Sequence, residues 1–397
     1  MSQMSELQTC PILCLHEDLV HEIFSYLPQL CDKVRLACVA PNFMHVFSKW
    51  VRSRRHALNA EDVEQMQLGE MIDFFSVAGP YITSLTVDCS SFQKESLIVE
   101  FIAVYCRNLE EISYSNVTDD FHYRELMTRL TQLRRISIDC MDDEDVLNFD
   151  LEGNTGLESF ELINGCYTGK HLCGFERLQR LVLRDCKLFD SGKFGIPLKH
   201  LRVLVLEECS MYHSLCEKIV KCCGELEVLS FSGCHRMSSK ELNFLSTLAD
   251  RRDNMLKYLK LSGPFAISNE QARYLGQLSA LEELHLINVV EDDHFRFFND
   301  LPLLRLFGMS FCGRVTDVGL MSLIRKCPML SCINLKDCHQ ITDQFVLNAV
   351  YCCSKNLPSR DMLLNVEGTR INRDMLKHPE YLKPQNKVKL NFKSETD

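Results

Sequence analysis

The chain is predicted to fold as an α/β solenoid, on three observations. A nine-residue pattern close to Leu-x-x-Leu-x-Leu-x-x-Cys recurs along most of it: Leu178, Leu181, Leu183, Cys186; Leu201, Leu204, Leu206, Cys209; Leu226, Leu229, Phe231, Cys234; Leu304, Phe307, Met309, Cys312; Leu330, Ile333, Leu335, Cys338. After the Cys the apolar spacing changes from two to helical, as in Leu320, Leu323, Ile324 and Cys327 or Leu215, Ile219 and Cys222. One such unit cannot bury its own apolar face, so neighbours must stack.

Looser copies begin at Ile82, Leu109, Leu133, Leu157, Leu256, Leu281 and near Asp361. Together they make about twelve repeats of roughly 21 to 31 residues, the period of a leucine-rich repeat. The fold class is therefore a right-handed, curved leucine-rich-repeat solenoid of strand-loop-helix repeats. In each copy the second and third apolar residues are two apart, hence on one face of a short strand, and the residues between them face outward. Ser238 with Glu241 and Ser268 with Gln271 have capping-box spacing, and Thr316 and Thr342 each precede an Asp suited to a helix N-terminus. Val388, Leu390 and Phe392 alternate with lysines and are expected to close the stack as a last strand with a charged edge.

The stretch CGRVTDVGLMSLIRKCPMLSCINLKDC from Cys312 to Cys338, followed by HQITD, resembles the cysteine-containing leucine-rich repeat found mainly in F-box proteins. Residues 11–51, PILCLHEDLVHEIFSYLPQLCDKVRLACVAPNFMHVFSKWV, resemble the F-box itself, a small all-α unit of three helices. From the residues alone, Leu19, Ile23 and Leu27 repeat every four. Asp32 is placed to cap a second helix carrying Leu36 and Val39. Pro41 fits the first turn of a third helix with Phe43, Val46, Phe47, Trp50 and Val51. About forty residues make a poor independent core, so much of this apolar surface is expected to meet a partner. The resemblance implies docking on the Skp adaptor of a cullin ubiquitin ligase, and through it association with cullin and RING subunits, by Leu15, Leu19, Ile23, Leu27, Leu36 and Val39. His16 stands where the family usually has Pro, and Phe43 where Trp is commoner. A helical cap that simply closes the solenoid is the alternative. The expected organisation is F-box at 11–51, helical linker and N-terminal cap at 52–79, solenoid at 80–394. Asn59 to Ala78, ending at Gly79-Pro80, is read as a helical, incomplete first repeat.

Composition suits a binding protein inside the cell, in cytoplasm or nucleus. The 397 residues are 46% hydrophobic and 25% charged, enough for a large core. No apolar run approaches the ~18 residues of a membrane span, and the N-terminus lacks the basic-then-apolar pattern of a secretion signal. The 21 Cys fall mainly at one repeat phase and are odd in number, so reduced, buried thiols are expected. No Cys-x-x-Cys pair occurs, and Cys222-Cys223 and Cys352-Cys353 lie in helical segments where neighbours diverge, which leaves no metal site. A net charge of −10 does not favour nucleic acid. Arg52, Arg54 and Arg55 read as a solvated helix end, and the acidic runs Asp142 to Asp145 and Glu291 to Asp293 as solvated loops.

Catalytic signatures are missing. Gly165 to Lys170, GCYTGK, has three residues between its glycines where a phosphate loop needs four, and His171 follows in place of Ser or Thr. No nucleophile elbow or zinc-protease helix occurs, so a non-enzymatic chain without cofactor is expected. Function then falls to the outward strand positions. Arg180, Val182 and Arg184, then Val203, Val205 and Glu207, then Val228, Ser230 and Ser232 lie side by side, and the valines form an apolar patch with Arg180, Arg184 and Glu207 at its rim. That is the pattern of a site for a target protein, although β-branched residues also simply stabilise strands. Arg180 and Arg184 are candidates to pair with a phosphate. Tyr258, Lys260, Glu283, His285, Asn334 and Lys336 make the rest of the face polar. The resulting expectation is a substrate-recognition subunit of a Skp/cullin/F-box ubiquitin ligase, directing its target to ubiquitination and proteasomal degradation. A leucine-rich-repeat scaffold or inhibitor independent of any ligase is the alternative.

Overall fold

The computed structural model describes residues 12, 15–52, 56–90, 95–117, 129–141, 153–169, 172–189, 198–211, 215–234, 239–251, 254–298, 301–355 and 360–393. Two compact units result, Met1–Leu162 and Ile163–Asp397. Ser238, the acidic run 142–145, Arg54, Arg55, Lys170 and His171 lie outside the described residues.

The first unit opens with three helices, α1 (Glu17–Tyr26), α2 (Leu30–Ala37) and α3 (Pro41–Arg52). His16 is the N-cap of α1: its φ of −64° is one a proline would hold, and its ring accepts the Asp18 N–H at 3.4 Å. Asp32 does not cap α2 as expected. The helix starts earlier, with Gln29 at the N-cap, and Asp32 in its first turn faces Arg35 at 3.4 Å. The earlier start brings Cys31 and Val34 into the core and carries the Lys33 amine to the Leu27 carbonyl. Val20 and Phe24, Cys31, Val34 and Ala37, and Phe43, Val46, Phe47 and Val51 form that core, with the Phe24 and Phe47 rings 5.9 Å apart.

The linker is not all helix. Between α3 and the helices α4 (Glu61–Glu64) and α5 (Leu68–Ala78), His56–Asn59 forms a strand parallel to Ile82–Asp88. Four residues carry too little periodicity to show in the sequence; the strand pairs the backbone N–H and C=O groups along the open edge of its neighbour. Glu111–Val117 and Arg135–Cys140 pair on in chain order, and Ser159–Ile163 comes next.

In the second unit nine strands follow one another in parallel register: Arg180–Arg184, Val203–Glu207, Val228–Ser232, Tyr258–Ser262, Glu283–Ile287, Leu306–Ser310, Cys332–Asn334, Met362–Asn365 and Val388–Asn391. Every predicted repeat starts a strand, so the leucine-rich-repeat fold class stands. The inward Leu204 and Leu206, Leu259 and Leu261, Leu284 and Leu286 are all fully buried, each contributing about 1.5–3 kcal/mol. The strand-loop-helix reading needs correction in the shorter repeats. Where Leu281 is followed by Leu304 the chain makes only a 3-10 turn, Asp292–Phe297, whereas the longer step from Leu304 to Leu330 accommodates the helix Asp317–Lys326. A 3-10 turn rises faster per residue, so fewer residues close the repeat.

The recurrent Cys is explained by the turn at the end of each strand. Asp185, Glu208, Phe311 and Asp337 hold φ between 51° and 57°, and Gly233 holds 63°, each directly before the Cys. That left-handed residue turns the chain while its N–H still bonds the next strand: Glu208 to Ser232 at 2.8 Å, Phe311 to Lys336 at 3.1 Å. The buried Cys then donates to two carbonyls at once, its own strand's and the preceding strand's, as Cys209 does to Glu207 and Leu183, both at 3.2 Å. Cys234, Cys312 and Cys338 repeat the arrangement. An alkyl group of similar size would fill the space but lose these donor contacts.

Two further devices tie repeat to repeat. Asp292 accepts from the Thr316 N–H and hydroxyl, and Asp317 does the same for Thr342 at 2.9 and 2.6 Å. Asp317 was expected only to suit its own helix N-terminus, and Asp292 to lie in a solvated loop. Arg251 donates to the carbonyls of Cys223 and Val220, closing the helix Leu215–Cys222, and Arg360 closes Asp317–Lys326 through Cys327 and Ile324. At the far end the outward N–H groups of the last strand are not left open. Asn386 takes that of Val388 at 2.8 Å and the Tyr381 hydroxyl that of Leu390 at 3.2 Å, so side-chain caps seal the edge as well as its lysines.

Candidate functional site

The six residues expected to dock an adaptor share one property. Leu15, Ile23, Leu27 and Leu36 are part exposed, and Leu19 and Val39 are 49% and 61% exposed. The fully buried core of the helices is made by the positions between them, so these side chains leave apolar surface open to solvent. Val39 lies beyond the end of α2 and not on it. Tyr26, 77% exposed, was missed; it follows Leu19 by seven and Ile23 by three, a spacing that puts all three on one face of α1. Lys49, 2.6 Å from Glu17, borders the surface and holds the Glu17 carboxyl below the usual range. Cys38 donates to Asp73 at 3.3 Å, and burial with that carboxylate pushes its thiol up to about 11, an unreactive state.

On the second unit the outward residues fall into rows. Arg180, Val203, Val228, Tyr258 and Glu283 are in register; so are Val182, Val205, Ser230, Lys260 and His285; Arg184 faces Glu207. The expected apolar patch is smaller than its four valines. Val203, Val205 and Val228 are part exposed, but Val182 is completely buried. It is a short side chain between two arginines on its own strand, with Val205 about 4.8 Å to the side, so the row closes over it. Arg184 is not available for a phosphate, because its Nε donates to Glu207 at 2.9 Å. Further along, the Tyr258 and His285 rings lie 5.2 Å apart, and the His285 ring occupies the space above Gly308, where a Cβ would come within 2.3 Å of it. Asn391 donates to Asn365 at 3.0 Å on neighbouring strands.

The acidic loop at Glu291 has structural employment. Glu291 pairs with Arg314 at 2.7 Å and Asp292 holds Thr316. Among the described residues no three potential metal ligands gather, the 18 cysteines whose side chains are described are free thiols, and no helix is long and apolar enough to cross a membrane.

No family model and no curated protein matches the chain. Solved structures do. The crystal structure of the Rad7 and Elc1 complex in yeast matches with a TM-score of 0.50 at 16% identity, over 82% of this chain and 89% of that one. A leucine-rich-repeat protein of Leptospira interrogans matches with a TM-score of 0.44 at 13% identity, over 86% and 97%. At such identities the likeness is one of fold. The fold is that of a leucine-rich-repeat protein.

Proposed function

We propose that the chain is a substrate-recognition subunit of a Skp/cullin/F-box ubiquitin ligase. Its three N-terminal helices bind the Skp adaptor, and its repeats hold a target protein for ubiquitination and degradation. The observation that carries the reading is the surface around α1 and α2: every candidate docking residue lies outside the fully buried core and is left at least partly exposed, and apolar surface of that kind is covered by a partner. A protein of similar fold, Rad7, forms a complex with Elc1, which supports the reading that such a chain works with a bound second protein. Catalysis by such a subunit is proximity and orientation, holding the target near a charged conjugating enzyme.

The test is Leu19→Asp together with Ile23→Asp. Both side chains lie outside the core, so melting temperature should hold within a few degrees. Co-purification with the Skp adaptor should be lost, since a carboxylate buried without a partner at an interface costs several kcal/mol. Retention of the adaptor at wild-type yield would overturn the assignment.

A further inference from the structure

We infer that the outward face of the second unit captures an oxyanion of its target, a carboxylate or a phosphate, between Lys260 and Ser230. Two independent observations meet there. Ser230 is only 3% exposed, and its hydroxyl has no hydrogen-bond partner. It lies in the middle outward row, directly in register with Lys260 on one side and Val205 on the other. Lys260, part exposed, forms no ion pair among the described residues. Two neighbouring cations are otherwise employed, Arg184 by Glu207 and Lys257 by Glu227 at 2.8 Å, and Arg180 stands in the adjacent row, two strands from Ser230.

A hydroxyl closed off from both water and protein is unfavourable, and a ligand that accepts its hydrogen bond would relieve that cost. Adjacent strands stand about 4.8 Å apart, so one oxyanion at the Lys260 ammonium is within reach of the Ser230 hydroxyl. No ion pair fixes the lysine rotamer, and both groups can turn to a common ligand without movement of either strand. Val203, Val205 and Val228 beside them lower the local dielectric and strengthen the charge pairing. The target segment is therefore an acidic or phosphorylated residue next to apolar ones. Ser230 acts as donor and Lys260 as counter-charge.

The inference rests on the reading that this face holds the target. It is tested on the full chain with three labelled peptide pools of one randomised apolar-rich frame, fixed at the centre as phosphoserine, glutamate or lysine. Acidic pools should bind at least about tenfold better than the lysine pool, and whichever of phosphoserine or glutamate binds better names the source of the oxyanion. Lys260→Glu should reverse the preference, and Lys377→Glu, on a remote exposed site, should not. Ser230→Ala should raise the melting temperature, by removing an unsatisfied hydroxyl, and weaken the acidic pools several-fold. A purely structural serine would not separate these two readouts. Equal binding of the lysine pool, an unchanged preference in Lys260→Glu, or an equal effect of Lys377→Glu would overturn the inference. The chain carrying Leu19→Asp and Ile23→Asp should keep the acidic preference, so a failure here is distinguishable from a failure to dock the adaptor.

Discussion

At the scale of single residues, the alternation of a strand assigns a direction to each side chain, but exposure depends on what stands beside it. Val182, Val203 and Val205 all point outward, yet only the last two meet solvent. Val203→Glu with Val205→Glu should therefore leave the melting temperature within a few degrees, at about 0.5 kcal/mol each, and remove most target capture. Val182→Glu should instead cost several kcal/mol by burying an unpaired charge, seen as a lowered urea midpoint. If the first pair unfolds the protein, the valines are packing residues. The aspartates make a second case. Asp317 looks in sequence like a helix-dipole residue, but its carboxylate holds the next repeat's Thr342. Asp317→Ala should cost about 2 kcal/mol, and Asp317→Asn about half that, since the amide keeps one acceptor oxygen. Equal losses would mean that charge, and not acceptance, is what matters.

At the scale of elements, repeated features were legible and single ones were not. The strands from Ile82 onward follow from the spacing of Leu and Cys, because that spacing is the imprint of a buried face repeated many times. The His56–Asn59 strand and the 3-10 turn at Asp292–Phe297 have no such imprint; they follow from the need to cover an edge and from the length available to close a repeat. The C-terminal closure was legible as a strand but not as an edge sealed by Tyr381 and Asn386. Helix ends are similar, since Arg251 reaches back to carbonyls of the preceding repeat. Arg251→Ala should strip the side-chain cap from the Cys223 carbonyl and leave Val220 with only its bond from the Cys223 N–H, raising amide exchange through Leu215–Cys222 at a cost of about 1–3 kcal/mol. Arg251→Lys should recover only part of it, because one ammonium cannot match the spacing of a guanidinium fork. Exchange protection equal to the wild type in Arg251→Ala would remove the cap from the account.

For the whole molecule, the cysteines set a condition on pH and redox state. Burial pushes the Cys106, Cys223 and Cys234 thiols up to about 12. In the unfolded chain a thiol ionises near 9, so the folded state binds more protons than the unfolded state between those values. The stabilisation is complete below about pH 9 and falls by roughly 1.4 kcal/mol per thiol per pH unit above it. Unfolding free energy measured from pH 8 to 11 should decline, and more gently when Cys223 and Cys234 are replaced by Ala; an unchanged slope would show that these thiols do not drive it. Rapid alkylation of the denatured, nonreduced protein should add close to one label for each of the 21 Cys. Several defined disulfides in the mass spectrum would contradict the free thiols.

By itself the sequence determined the leucine-rich-repeat class, the strand sequence from Ile82, the helical pattern of residues 17–52 and the phase of the cysteines, because each is a periodic demand for burial that a one-dimensional pattern records. Only the tertiary structure decided why that phase is Cys, since its two acceptor carbonyls come from different repeats. It also decided that His16 serves as a cap, that Arg184 is occupied and Val182 covered, and that Ser230 is left without a partner beside Lys260. Apart from the local cap at His16, each of these depends on which side chains from distant parts of the chain stand a few ångströms apart, and burial and pairing are properties of neighbours in space, which spacing along the chain does not encode.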